Sequence, residues 1–167
     1  MNCPVPDDAV TIVITYLRQQ GLTITQAGDA YRLAEGLPNV FARHDRLAEA
    51  TRRAVRAWGL EILCINPAEY SSSLTAILMP DGHNADQFRK IVHERFNMSL
   101  GQGLGKLSGK IFRIGHLGWF NELMLCGTLA GVEMGLKLAG IPYRAGGVDA
   151  AMAYLAQTPT AALAKAA

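Results

Sequence analysis

Gly109-Lys110-Ile111-Phe112-Arg113-Ile114-Gly115-His116-Leu117-Gly118 sets a single arginine among large apolar residues. Read as a strand, the alternation puts Phe112 and Ile114 on one side and Ile111 with Arg113 on the other, so the guanidinium projects at a fixed height. An arginine held there needs an anion for its forked donors. The planar fork suits a carboxylate. A structural ion pair with an Asp or Glu of the same chain is the competing reading.

Outward from this strand, helical and strand patterns mix. Asn84-Ala85-Asp86-Gln87 resembles a capping box, and Phe88, Ile91, Val92 and Phe96 continue it as an amphipathic helix. Leu60 to Ile65 and Ser73 to Met79 are short apolar runs bounded by Asn66-Pro67 and Pro80-Asp81-Gly82, which predicts two strands, with a third over Met98 to Leu100. Downstream, Asn121 caps a helix through Leu123, Met124, Leu129, Ala130, Met134 and Leu138 that stops at Gly140, with Pro142 beyond. Asp149 to Leu155 predicts a last helix.

Upstream, Pro38 opens a helix over Asn39 to Trp58 whose one face carries Val40, His44, Leu47, Thr51, Val55 and Trp58, with Gly59 as its stop. Arg43, Arg46, Arg52, Arg53 and Arg56, with Asp45 and Glu49, make the other face, read as a solvated surface with a polyanion site as the alternative. Before that, Asp7 and Asp8 precede Val10, Val13, Ile14 and Leu17 in a helical spacing ending at Gly21, although the β-branched run Thr11 to Thr15 also suits a strand. Residues 158–167 are expected to fray. The predicted fold class is α/β or α+β, a small sheet covered by helices.

The 167 residues fit one domain, and half of them are hydrophobic, enough to bury a core without disulfides or metal. A net charge of +2 and a pI near 8.5 fall short of the basic bias of a nucleic-acid binder. Cys3, Cys64 and Cys126 are odd in number and widely spaced, as reduced thiols in a cytoplasmic protein would be. No secretion signal or membrane span is expected.

The glycine run Gly101-Gln102-Gly103-Leu104-Gly105-Lys106-Leu107-Ser108-Gly109-Lys110 fails the phosphate-loop spacing. Counting back from Gly105-Lys106 or Gly109-Lys110, the required glycine falls on Leu100 or Leu104, and neither lysine is followed by Ser or Thr. The dinucleotide fingerprint does not close either, since Lys106 occupies its third glycine position. A loop whose backbone can approach a ligand remains. Gly127, Gly131 and Gly135 recur every four residues and predict close packing of their helix, inside the protein or at a subunit contact. His116 is either an acid–base group or a hydrogen-bonded loop histidine, the latter favoured. His44, His83 and His93 have no zinc-ligand spacing, so no metal is expected. Asn97-Met98-Ser99 matches a glycosylation acceptor, without other signs of secretion.

Leu104-Gly105-Lys106 with Phe112-Arg113-Ile114-Gly115-His116-Leu117-Gly118 and Asn121 resembles the carboxy-terminal part of class V pyridoxal-phosphate aminotransferases, above all the serine-glyoxylate and alanine-glyoxylate types. The likeness extends from Glu35-Gly36-Leu37-Pro38-Asn39-Val40-Phe41-Ala42-Arg43-His44 to Gly140-Ile141-Pro142. It implies the small domain of the aspartate-aminotransferase-like fold, a short, mainly antiparallel sheet backed by helices, over residues 35–157. Residues 1–34 do not match the family, as though another start had been joined near Arg32; a truncated or frame-shifted gene, or a deliberate fragment, accounts for this.

The resemblance implies that Arg113 grips the α-carboxylate of a small amino acid or keto acid, with Gly105 and His116 as neighbours of the substrate. The family's cofactor lysine and the aspartate that pairs with the cofactor ring belong to a large domain preceding this part. Lys90, Lys106, Lys110, Lys137 and Lys165 do not occupy that context. The expectation is a substrate-domain portion that holds no pyridoxal phosphate covalently and does not transaminate alone, with a homo-oligomer or another subunit as partner. A non-catalytic interaction or dimerisation module of the same fold is the alternative.

Overall fold

Thr75, Ile77, Phe112 and Ile114 are buried on one face of a three-stranded antiparallel sheet, and helices cover that face. The computed structural model describes residues 24–27, 30–33 and 36–157. The chain divides into two units, residues 1–41 with 161–167, and residues 42–160. The first holds an antiparallel hairpin, β1 (Ile24–Ala27) with β2 (Ala30–Leu33), in the register Ile24↔Leu33 to Ala27↔Ala30. The expected element over Asp7 to Gly21 and the expected fraying of residues 158–167 lie outside the described residues.

The second unit contains most of α1 (Leu37–Trp58), then β3 (Leu74–Leu78), α2 (Ala85–Phe96), β4 (Gly101–Gln102), β5 (Ile111–Gly115), α3 (Glu122–Leu138) and α4 (Gly147–Gln157). β5 is the central strand, between β3 and β4. Asn84 caps α2 by accepting from the N–H groups of Asp86 and Gln87, and Asn121 caps α3 by accepting from Met124 N–H. Asn97, in the left-handed conformation, closes α2.

The core joins the sheet to the helices. The Phe88 and Phe112 rings lie 4.8 Å apart in a tilted pair, surrounded by Ile77, Val92, Ile114, Leu125, Leu129 and Leu136. Trp58, at the end of α1, donates Nε1–H to Glu133 of α3 at 2.8 Å, and the same carboxylate accepts from Gly146 and Val148 N–H at the start of α4. One acidic side chain thus fastens three helices. Of the glycines spaced along α3, Gly131 and Gly135 admit neighbours: an added Cβ would lie 2.8 Å from Met98 Cε and 2.5 Å from Val92 Cγ2 respectively. At Gly127 the same atom would meet nothing within 4 Å.

Three expectations are corrected. Leu60 to Ile65 forms no strand. It runs beside β3 through one bridge, Ile62↔Ile77, and two flanking hydrogen bonds, because Pro67 opens a 3-10 turn at once and leaves no room for a longer ladder. The strand expected over Met98 to Leu100 lies instead at Gly101–Gln102, since Met98 turns onto Gly131 and Leu100 into the core. Arg46 is not on a solvated face of α1. It is buried, bonded to Glu122 and to the Leu155 carbonyl, while Arg52 and Arg53 are paired to Glu49 at 3.0 Å and Arg56 lies 3.6 Å from it.

Candidate functional site around Arg113

Arg113 stands on the central strand, opposite Ala76 of β3 and Gly101 of β4. Its neighbours Phe112 and Ile114 are fully buried, which locks the strand in rotation and leaves the arginine on the other face. Both cross-strand partners are small, so the side chain is flanked by backbone. At Gly101 an added Cβ would come within 3.1 Å of the Arg113 Nε, closer than most real contacts. The Nε–H is buried and has no hydrogen-bond partner among the described residues. No described Asp or Glu lies within ion-pair distance of this guanidinium. A buried donor left in that state costs free energy until an acceptor arrives.

His116 sits at the end of the same strand with its ring fully buried. Its Nδ1 lies 3.1 Å from the Ser72 carbonyl, which only accepts, so Nδ1 carries the proton. Nε2 is then left to accept from the Thr75 hydroxyl at 3.1 Å. Burial holds the imidazole down to a pKa of about 4, against a smaller opposing pull from the Ser72 carbonyl, so it is neutral at physiological pH. Both ring nitrogens are committed inside the protein. The backbone N–H of His116 also donates to the Ser73 carbonyl, extending the β3–β5 pairing by one bond.

Gly105 opens a 3-10 turn over Gly105–Leu107 with φ of +54°, a conformation that favours glycine, and an added Cβ there would meet nothing within 4 Å. The glycine that touches Arg113 is Gly101, which sequence reasoning passed over as one of several in a loop. Its signal was present only in the strand register. After β5, Arg43 of α1 donates to the Gly118 and Phe120 carbonyls and stacks over Trp119, and Gly118 N–H donates to His44. A recess of about 160 Å³ opens along the far edge of β3, walled by Tyr70, Cys64, Leu74 and Ala76; Arg113 does not line it.

The half-buried arginine with this unpartnered Nε–H stands on a fold shared with known proteins. Serine-glyoxylate aminotransferase of Hyphomicrobium methylovorum is 47% identical over 128 residues, 76% of this chain and 32% of the relative. The chain belongs to this aminotransferase family. L-aspartate-glyoxylate aminotransferase of Paracoccus denitrificans is 46% identical over 136 residues, 81% of this chain and 34% of its own. Among solved structures, ureidoglycine-glyoxylate aminotransferase of Bacillus subtilis superposes with a TM-score of 0.70 at 26% identity, covering 74% of this chain and 32% of that one.

The chain therefore spans about a third of the length of the relatives it matches, in their carboxy-terminal part. The helix-backed antiparallel sheet is that of an aminotransferase small domain. No protein-family model matches the chain. Among the described residues, no helix is long and apolar enough to cross a membrane.

Proposed function

We propose that this chain is the substrate-domain portion of a pyridoxal-phosphate aminotransferase that uses glyoxylate and a small amino acid, serine or alanine, with Arg113 as the clamp on the substrate α-carboxylate. The observation that carries the reading is the buried Arg113 Nε–H without a partner, on a guanidinium that no described acid neutralises. A bidentate carboxylate satisfies that donor and fixes the substrate's orientation. His116 then anchors the end of β5 below the clamp, and Gly105 lets the loop backbone pass close to bound substrate.

Pyridoxal phosphate, when bound, supplies the electron sink for amino-group transfer. The described lysines fit no such site: Lys90, Lys106, Lys110 and Lys137 are all exposed, whereas an imine-forming lysine is activated by desolvation or a cationic neighbour. This supports the reading that the chain holds no cofactor covalently and does not transaminate alone. Free, half-buried Cys64 and Cys126 support a reducing, cytoplasmic setting, and the working form is read as a homo-oligomer.

Two measurements on the purified chain test the proposal. Glyoxylate titrated into the protein should bind, and Arg113→Ala should weaken that binding by about 2 to 4 kcal/mol, the cost of truncating one partner of a desolvated charge pair. Equal binding by both proteins removes the clamp. Mixing the chain with pyridoxal phosphate should give no stable imine absorbance, and an absorbance lost on mutating one lysine would overturn catalytic incompetence.

A further inference from the structure

Pro80-Asp81-Gly82-His83 joins β3 to α2 as a tight turn. The Pro80 carbonyl accepts from His83 N–H at 3.1 Å, and Gly82 holds φ of +82°, a conformation that favours glycine. Asp81 and Gly82 are both exposed. No other Asp or Asn of the chain precedes a glycine. Among the described residues, neither the Asp81 carboxylate nor the Gly82 N–H has a hydrogen-bond or ion-pair partner. A Cβ built on Gly82 would meet nothing within 4 Å. Beside the turn lies an open recess of about 290 Å³, lined by Gly59, Leu60, Glu61, Pro80 and Asp81 among others.

We propose that Asp81 is a site of self-modification, at which the Gly82 amide nitrogen attacks the Asp81 Cγ and the backbone isomerises to isoaspartate. The N–Cγ bond forms, the carboxyl's hydroxyl leaves with the amide proton as water, and a five-membered imide results. Water then adds to one of the two imide carbonyls. Opening at Cγ restores aspartate, whereas opening at the main-chain carbonyl leaves the chain running through Cβ and Cγ. Nothing is oxidised or reduced, and water is the only co-reactant. The attack needs rotation about bonds of Asp81 alone, so it is resisted by a partner on either reacting group or by a bulky side chain on the next residue. The fold supplies none of these at Asp81 and supplies them elsewhere. Asp86 is paired to Arg89 at 3.0 Å, Asp45 accepts from the Ser72 hydroxyl, and the Asn84 and Asn121 side chains are engaged as helix caps. The recess beside Asp81 gives the lengthened turn room, so that β3 and the Asn84 cap keep their places.

The test is storage of the folded full chain in heavy-oxygen water, at neutral pH and physiological temperature for several weeks, followed by digestion in ordinary water and mass spectrometry. The peptide holding Asp81 should gain one heavy oxygen, from the water that opens the imide, and split into two chromatographic peaks of equal mass. Fragmentation should place both changes on Asp81, with no label on Asp45 or Asp86. Asp81→Glu, whose imide is a slower-forming six-membered ring, should lose both signals while keeping the melting temperature. Asp81→Asn should release ammonia in place of water and give the same two products faster, because its carboxamide carries no negative charge to repel the attacking nitrogen. Absence of label at Asp81 in the folded chain overturns the proposal, whatever the unfolded chain does in denaturant. Label on Asp45 or Asp86 at an equal rate, or label that survives Asp81→Glu, overturns it as well.

Discussion

Gly101 and Arg113 are cross-strand partners, and the hydrogen in place of a side chain at Gly101 is what lets the guanidinium stem lie against β4. An added Cβ would sit 3.0 Å from the Arg113 Cβ and 3.1 Å from its Nε. Gly101 lies outside the left-handed region, so alanine is tolerated by the backbone and acts through this contact alone. Gly101→Ala should therefore displace the fork and lower glyoxylate affinity about tenfold, with the fold retained by circular dichroism. Isothermal titration of the two proteins side by side decides it.

Gly147 packs edge-on against Trp58: an added Cβ would lie 2.1 Å from the indole Nε1 and 2.4 Å from Cε2. Gly147→Ala must push α4 or the indole away, and with it the Trp58–Glu133 bond. Such overpacking costs about 1 to 3 kcal/mol. Thermal melting should drop by several degrees, at roughly 2 to 4 °C per kcal/mol for a domain of this size.

His116 makes stability depend on pH in a defined window. Its folded pKa of about 4 lies below the ordinary 6.5, so the unfolded chain binds the extra proton between those values. The neutral ring's contribution is complete above pH 6.5 and is lost as pH falls toward 4, on the order of 3 kcal/mol in all. Melting temperature plotted against pH should slope through that interval in the unmodified protein. His116→Gln should start less stable at pH 7 and show a flatter slope.

Glu133 acts lower on the scale. Burial raises its pKa, but hydrogen bonds from Trp58, Gly146, Val148 and Gly147 outweigh it, and the carboxyl is held below its usual value. A depressed folded pKa gives stability that is present above the unfolded value of about 4.5 and lost as pH falls beneath it. Glu133→Gln should weaken the protein near neutrality and flatten its acid limb below pH 4.5. Acid titration followed by tryptophan fluorescence in a Trp119→Phe background, which leaves Trp58 as the one tryptophan, reports on this bond.

Much of the fold was legible because hydrophobic spacing and caps act over a few residues. Asn84 and Asn121 start their helices as read, and Asn39 to Trp58 is helical within a longer helix that begins at Leu37. Phe112 and Ile114 face the core while Arg113 turns the other way, as alternation requires. The antiparallel pairing of β1 with β2 was not anticipated from the sequence. Leu60 to Ile65 misled because a short apolar run reads as a strand whether or not a partner of equal length exists. Arg46 misled because helical position says which way a side chain points, and Glu122 and the Leu155 carbonyl, 76 and 109 residues away, say what it meets.

The sequence by itself determined the helices, the direction in which Arg113 leaves its strand and the likeness to the glyoxylate aminotransferases, because each is written in neighbouring residues. Only the tertiary structure decided that Gly101 lies against Arg113, that the Arg113 Nε–H is buried without an acceptor, and that the His116 ring is sealed between Ser72 and Thr75. Those are consequences of strand register and of burial, which arise when distant segments pack and which no local pattern encodes.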